Sequence, residues 1–582
     1  MGVINDPLFI GIFMKFTVEN KGEVNLTDKD YLSAGGEATI YTQGNVIYKI
    51  YTDISKIIPL TKVDELKKLL GGKDNILTPK DVVYNKNKYV GFTMDMVDDT
   101  VPLCKLFTND FRNKNGVNPN HTIQLIEKFQ EDINFIHEKG CLIVDVNEFN
   151  FLISTKNKKN KAQKFVYPYF IDVNSYQTPT HGATAIMPNI RDYHTKSFSD
   201  VTDWYSFGIL ACQLFVGIHP FKGTHKNYKN NDFVSRMKDN ISIFNKDVKV
   251  PSVTRDFNLI PDDYKKWFVD IFENGKRTQP PFVLGIIKYV PVTIKPVTST
   301  QCLIIETIKE FDENIFSYTA FAGNEVILCE NKAWVQKKLD YFCENDNCLI
   351  FKDNDTIACN IDSDNTLYFK NIKNNEVIIT PFKAKEFKCI NNNMFLKYND
   401  KLIQALLPDG MSQFIVKNSW DILPNASKFF DGCLYQDTLG KPYFYIPYIN
   451  NTNDCMYIGN IVELEGYKII NAKHNNRILM VLGVKQNRYF KFLFRFEKDY
   501  NKYHLIYCYD DVDYKDLNFT VLDNGVGVSI EDNNELNIFH TDASKIKIVK
   551  DDNLPQDLTL CTDGSKIMCY KDKTLYTLRM KP

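Results

Sequence analysis

The sequence predicts a two-domain chain, an α+β domain followed by an all-β domain of about six or seven propeller blades. Three observations carry this. The chain has 582 residues, too many for one hydrophobic core. Residues 1–285 alternate strand-like and helix-like patterns. From about residue 300, short apolar strands recur with Asn, Asp and Gly turns between them, and helical periodicity nearly vanishes.

The elements of the first half follow in chain order. "NVIYKIYT" is a strand, with Lys49 among apolar neighbours. "LTKVDELKKLL" places Leu60, Val63, Leu66 and Leu70 at helical spacing, and Gly71-Gly72 stops that helix. "KDVVYNKNKYVGFTMDMV" forms a hairpin turning at Asn85-Lys86-Asn87. "HTIQLIEKFQEDINFIHEKG" aligns Ile123, Ile126, Ile133 and Ile136 on one helical face and ends at Gly140, a plausible C-cap. "GCLIVDVNEFNFLIS" then sets Asp145 and Asn150 between two short apolar strands. "DWYSFGILACQLFVGIHPF" is apolar nearly all round, the signature of a buried helix.

In the second half, "CLIFKDNDTIACNI", "TLYFKNIKNNEVIIT", "MFLKYNDKLIQAL" and "KIMCYKDKTLYTLRM" are strand–turn–strand units. They recur about every 40 residues, as propeller blades do. The Tyr and Phe residues there are expected to fill the blades. The Asp-Asn turns match no calcium loop and are expected to be hairpin turns. "YVPVTIKPVTST" interrupts both patterns and marks the boundary.

Composition narrows the function. Hydrophobic residues make up 44% and charged residues 25%, as in soluble globular proteins. The 71 basic and 72 acidic residues leave a net charge of −1, so no basic excess points to nucleic acid or an anionic membrane. Fourteen Cys occur without a C-x-x-C pair, Cys343 and Cys348 being closest. Reduced thiols in a cytosol-like compartment are expected. The apolar run at 8–14 is short and lacks a basic leader and a cleavage site, so no signal peptide is expected. Asp6 argues against myristoylation at Gly2. No apolar run of about 18 residues predicts a membrane span.

Five stretches then line up: "LSAGGEATIY", Lys49 in "VIYKIY", the helix carrying Glu65, "IVDVNEFNFLI", and "YFIDVNSY" with Asp172. In this order they resemble the eukaryotic-type Ser/Thr protein kinase fold, a bilobal α+β domain, over about residues 25–285. The catalytic-loop pattern D-x-x-x-x-N is met by Asp145 and Asn150, and Asp172-Val173-Asn174 stands at the D-F-G position.

The resemblance implies roles. Lys49 would hold the α- and β-phosphates of ATP, with Glu65 as its ion-pair partner. Asp172 and Asn150 would bind Mg²⁺. Asp145 would orient the acceptor hydroxyl and take its proton. Gly35 and Gly36 would cover the phosphates, and Met94 to Met96 would face adenine. Asp203 would brace the catalytic loop from below. Arg277 would be a structural Arg of the lower lobe, with Asp192 as its partner in place of the usual Glu.

The departures are specific. Only the middle glycine of G-x-G-x-x-G survives in Ser33-Ala34-Gly35-Gly36-Glu37-Ala38. Ile143-Val144 replaces His-Arg, which removes the usual partner of a phosphorylated activation loop. Asn147 stands where a Lys is usual. "VDVN" and "DVNS" are similar to the "GDxN" and "DxDS" patterns of a divergent bacterial and phage branch.

The resulting expectations are an N-terminal extension at 1–24, a kinase-like domain at 25–288, a linker at 289–300 and a propeller at 301–582. The chain would be an ATP- and Mg²⁺-dependent phosphotransferase acting on Ser or Thr hydroxyls, with the propeller docking a protein substrate or assembly partner. Nucleic acid and membranes are not expected as partners. The location would be the bacterial or host cytoplasm, or a virion. The second expectation is a weak or inactive kinase-like scaffold, or a structural virion protein. A small-molecule phosphotransferase ranks third.

Overall fold

The computed structural model describes residues 14–156, 164–184, 186–229, 232–281 and, with short interruptions, 302–581. The segment 289–300, expected as a linker, lies outside the described residues. The chain divides into two compact units, Met1–Thr293 and Ile294–Pro582.

The first unit opens with an antiparallel sheet. Its strands are β1 (Met14–Val18), β2 (Gly22–Leu26), β3 (Tyr31–Ala34), β4 (Ala38–Gln43), β5 (Val46–Tyr51), β6 (Val82–Asn85) and β7 (Lys88–Asp95). Their order is β2-β1-β6-β7-β5-β4-β3. The hairpin β1–β2 falls largely in the segment taken from sequence as an extension. It joins the sheet because Phe16 and Val18 alternate inward, and Thr17 and Val18 pair with Tyr84 and Val83. The β6–β7 hairpin turns where its Asn-Lys-Asn run predicts. Lys86 and Asn87 both have positive φ, 46° and 66°, the conformation a two-residue turn needs to match strand twist.

Helix α1 (Leu60–Leu70) follows β5. Val63, Leu66 and Leu70 are buried as the spacing requires, but Leu60 is exposed at the helix start. Lys62 joins the buried face instead. A second, three-stranded sheet holds β8 (Thr100–Pro102), β9 (Phe151–Ser154) and β10 (Pro168–Phe170) in the order β10-β9-β8. Around it lie α2 (Asn109–Lys114), α3 (Pro119–Glu138), α4 (Asp200–Val216), α5 (Phe233–Lys238) and α6 (Asp262–Phe272).

Helix α3 begins at an Asn118 cap with Pro119 in its first turn, and ends before Gly140, whose φ is 72°. Its four expected isoleucines are all buried. Helix α4 is buried almost throughout and stops at Gly217, which has a φ of 85°. Phe129 of α3 meets Phe151 and Phe170 edge-on at centroid distances of 5.0 and 5.7 Å, and Phe207 of α4 at 6.4 Å. This cluster underlies the start of β9, and truncating one such Phe to Ala costs about 3–5 kcal/mol. The two sheets are joined through the segment after α1. Leu77 N–H donates to Phe170 O at 2.9 Å, and Phe170 N–H donates to Asn75 O at 2.7 Å.

The second unit is strand-rich, and its described residues form seven four-stranded antiparallel sheets. Six use strands consecutive in sequence. The seventh pairs Leu303–Glu310, from the start of the unit, with Thr574–Met580 at its end. Asn399 and Asp572, in the repeated Tyr-x-Asp-Lys segments, have φ of 53° and 49° and form the tight turns of their hairpins. Inward residues of neighbouring sheets interleave. Leu479, Val481, Phe492 and Phe494 pack with Cys433, Phe444 and Ile446.

Candidate active site

The site is assembled from three backbone devices. The first is the loop between α3 and β9. Asp203, wholly buried near the start of α4, accepts Ile143 N–H at 2.8 Å, Val144 N–H at 2.9 Å and His137 Nε2–H at 2.9 Å. Val144 has a φ of 65°, a left-handed conformation that a β-branched residue rarely adopts. The bond to Asp203 holds it there and fixes the direction of Asp145, the next residue.

Asp145 is buried, 5% exposed. Its Oδ2 accepts Asn147 Nδ2–H at 2.9 Å and Asn150 Nδ2–H at 3.3 Å, and its Oδ1 accepts Met187 N–H at 3.1 Å. Burial pushes its pKa up to about 6, aided by the charge of Asp172 and opposed by these hydrogen bonds. Asn147, in the place of the usual Lys, is internal: its Oδ1 accepts Phe149 N–H at 2.8 Å. It stiffens the loop and supplies no charge to a substrate.

Asn150 Nδ2 also donates to the Asp145 carbonyl at 2.9 Å, which leaves Oδ1 as the available donor oxygen. The Asn150 carbonyl accepts Ile171 N–H at 3.0 Å, so Asn150 lies beside the residue preceding Asp172. Asp172 itself has a φ of 59° and opens a short 3₁₀ turn, Val173–Ser175.

The second device is the ion pair across the first unit. Lys49 Nζ donates to Asp172 Oδ1 at 2.8 Å and to Asn174 Oδ1 at 3.1 Å. Asn174 was not foreseen as a site residue. It occupies the glycine place of D-F-G, and a carboxamide there was the available signal. The expected Lys49–Glu65 pair does not form. Glu65 Oε2 instead accepts Thr178 Oγ1–H at 2.5 Å, Thr180 Oγ1–H at 2.7 Å and His181 Nδ1–H at 2.9 Å. Desolvation raises Glu65, but these three bonds outweigh it and hold the carboxyl at about 2. The physical reason is rotational. Lys62 shares the buried face with Val63, Leu66 and Leu70, which turns Glu65 toward the segment 178–181.

Glu65→Gln is therefore expected to keep ATP affinity within about 2-fold while lowering stability by about 1–3 kcal/mol through weakened bonds to Thr178, Thr180 and His181. Nucleotide titration and thermal melting together check this.

The third device is the rim. Gly35 and Gly36 lie exposed at the tip of the β3–β4 hairpin. Gly35 N–H is spent on Ala38 O at 2.9 Å, so Gly36 is the glycine whose amide remains for a phosphate. Met94 packs with Ala38 and Phe92 on the inner face of the sheet. Met96 N–H is spent on Asn45 O at 3.0 Å, so the amide of Met96 is not available for the adenine role expected of it. Below the loop, Arg277 makes a two-point bond to Asp192, Nε–Oδ2 2.5 Å and Nη2–Oδ1 2.8 Å.

The donor set suits a hard divalent cation. Asn150 Oδ1 and Asp172 Oδ2 are oxygens left over from the bonds above, and Mg²⁺ is commonly held by one or two protein oxygens plus phosphates and water.

Comparison with known proteins agrees with this fold. The protein kinase domain family matches residues 60–274. A protein of Acanthamoeba polyphaga mimivirus, named "Putative serine/threonine-protein kinase", is 23% identical over 284 residues, covering 43% of this chain. The chain spans about half, 48%, of that protein's length. The solved structure of the Cydia pomonella granulovirus kinase is 13% identical, with a TM-score of 0.30, covering 42% of this chain and 86% of that one. The family match over residues 60–274 supports a kinase-like fold for the first unit. Neither relative bears on the phage branch to which the loop patterns were likened. Among the described residues, no helix is long and apolar enough to cross a membrane.

Proposed function

We propose that the first unit is an ATP- and Mg²⁺-dependent phosphotransferase acting on Ser or Thr hydroxyls of a protein. The observation that carries this is the bonded series Asp145–Asn150–Ile171, which leads directly to Asp172 and its partner Lys49. Positioning and charge, rather than covalent chemistry, do the work in such a site.

Asp145 orients the acceptor hydroxyl and accepts its proton as the oxygen attacks the terminal phosphorus, whose bond to the β–γ bridging oxygen breaks to release ADP. The hydroxyl takes the place on Oδ1 that Met187 N–H now fills. Lys49 turns from Asp172 and Asn174 to the phosphates. Asn150 and Asp172 would hold Mg²⁺, which would supply charge neutralisation of the phosphates. Gly36 offers its amide from above.

The raised pKa of Asp145 sets a pH signature. The base works ionised, so transfer should fall about tenfold per unit as pH drops below about 6. Stability behaves oppositely through this group. The folded state binds the proton more tightly than the unfolded chain, so acidification from 6 toward 4 adds stability from Asp145. Between about pH 6 and 5, above the range where the depressed Glu65 begins to lose its contribution to stability, a falling rate without a falling melting temperature is the expected result, and a flat rate to pH 5 would count against Asp145 as the base.

For the second unit we infer a closed seven-bladed propeller serving as a docking platform. The pairing of Leu303–Glu310 with Thr574–Met580 supports closure, because it completes the last sheet with the first strand. A second reading is also favoured by one observation: α1 supplies no carboxylate to Lys49. A weakly active or inactive scaffold would follow. Tight nucleotide binding without transfer, together with stoichiometric co-purification with a partner assembly, would favour it.

A further inference from the structure

The buried face of α1 carries one charged group that the chemistry above does not use. Lys62 is 1% exposed. Its Nζ donates to the Gly182 carbonyl at 3.0 Å, and no carboxylate pairs with it among the described residues. The two nearest candidates are committed elsewhere, Asp172 to Lys49 and Glu65 to Thr178, Thr180 and His181. Helix α1 packs against the Val173–Ser175 turn, which places this face toward the Asp172 end of the site.

A buried ammonium with a single neutral acceptor is costly, because desolvation is not repaid by a counter-charge. Burial lowers the Lys62 pKa to about 8, and the charges of Asp172 and then Glu65 oppose that fall. The group is therefore mainly protonated at neutral pH. A charged group kept dry beside a site for a polyanion is matched by an anion arriving there.

We propose that Lys62 is a second cation for the polyphosphate of the bound nucleotide, reached from α1 on the Asp172 side of the site. The inference rests on the nucleotide-binding reading above and deepens it. The ligand class is a nucleoside di- or triphosphate, and the surplus positive charge predicts a preference for more phosphates. It also changes the meaning of the missing Lys49–Glu65 pair. Helix α1 contributes charge to the ligand directly, instead of through a carboxylate that fixes Lys49.

The test is equilibrium binding of ATP, ADP and adenosine, with Mg²⁺, to the full chain carrying Lys62→Gln or Lys62→Arg. Gln keeps a donor for the Gly182 carbonyl but removes the charge. The ratio of ATP to adenosine affinity, read within each variant, is insensitive to any loss of folded fraction. Lys62→Gln is expected to lower that ratio about 10-fold or more, the effect of a charge-assisted phosphate bond, and Lys62→Arg to restore most of it. A ratio unchanged in Lys62→Gln overturns the proposal and leaves the nucleotide reading standing. A wild-type chain that binds none of the three overturns both.

Discussion

Asp145→Asn is expected to lower phosphoryl transfer by about 10²- to 10⁴-fold, the range spanned by a positioned general base. ATP affinity is expected to stay within about 3-fold, because in the proposed role Asp145 meets the acceptor and not the nucleotide. The substitution is nearly isosteric. One side-chain oxygen can still accept Met187 N–H, whereas Asn147 and Asn150 Nδ2 then face a donor instead of Oδ2. That conflict costs about 1–3 kcal/mol, a tolerable fraction of the stability of a domain. The loss is therefore chemical, and steady-state rates beside a nucleotide titration separate it from misfolding. Equal loss of rate and ATP affinity would place Asp145 in nucleotide binding instead.

Asp203→Ala carries the largest expected effect on stability. It leaves three donors without acceptors inside the protein: Ile143 N–H, Val144 N–H and His137 Nε2–H. At about 1–3 kcal/mol for each of the three orphaned groups, the total is roughly 3–9 kcal/mol. Val144 also loses the bond that holds its positive φ, so the loop relaxes and Asp145 loses its direction. Chemical denaturation of the full chain should show the transition of the first unit shifted to lower denaturant and that of the second unchanged. Activity should vanish under conditions where the protein remains folded. Asp203→Asn retains one acceptor oxygen and should lose less. Wild-type unfolding in Asp203→Ala would contradict the bracing role.

Much of this was legible in the sequence because it depends on local pattern. The helices α3 and α4 follow from their apolar spacing and terminal glycines. The site loop follows from a carboxylate and a carboxamide held between apolar strands. Asp192 as the partner of Arg277 was implied by the family resemblance, and the two-point bond is present. What could not be read was set by rotation and by long-range packing. Helix α1 was placed correctly, but its apolar pattern tolerates a small rotation about the axis. Leu60 at the start was counted as core, and Lys62 took that share of the buried face. Glu65 was thereby moved away from Lys49. Asn174 was missed because its partner lies 125 positions earlier in the chain. The β1–β2 hairpin was missed because a short edge strand becomes favourable only once β6 is there to pair with it.

The most direct measurement is transfer of labelled terminal phosphate from ATP to Ser or Thr of a protein acceptor, with and without Mg²⁺. It should be run on the wild-type chain and on Asp172→Ala. The account predicts metal-dependent incorporation by the wild type and none by the variant. A wild-type chain that binds ATP·Mg²⁺ yet transfers no phosphate to any hydroxyl acceptor would contradict it.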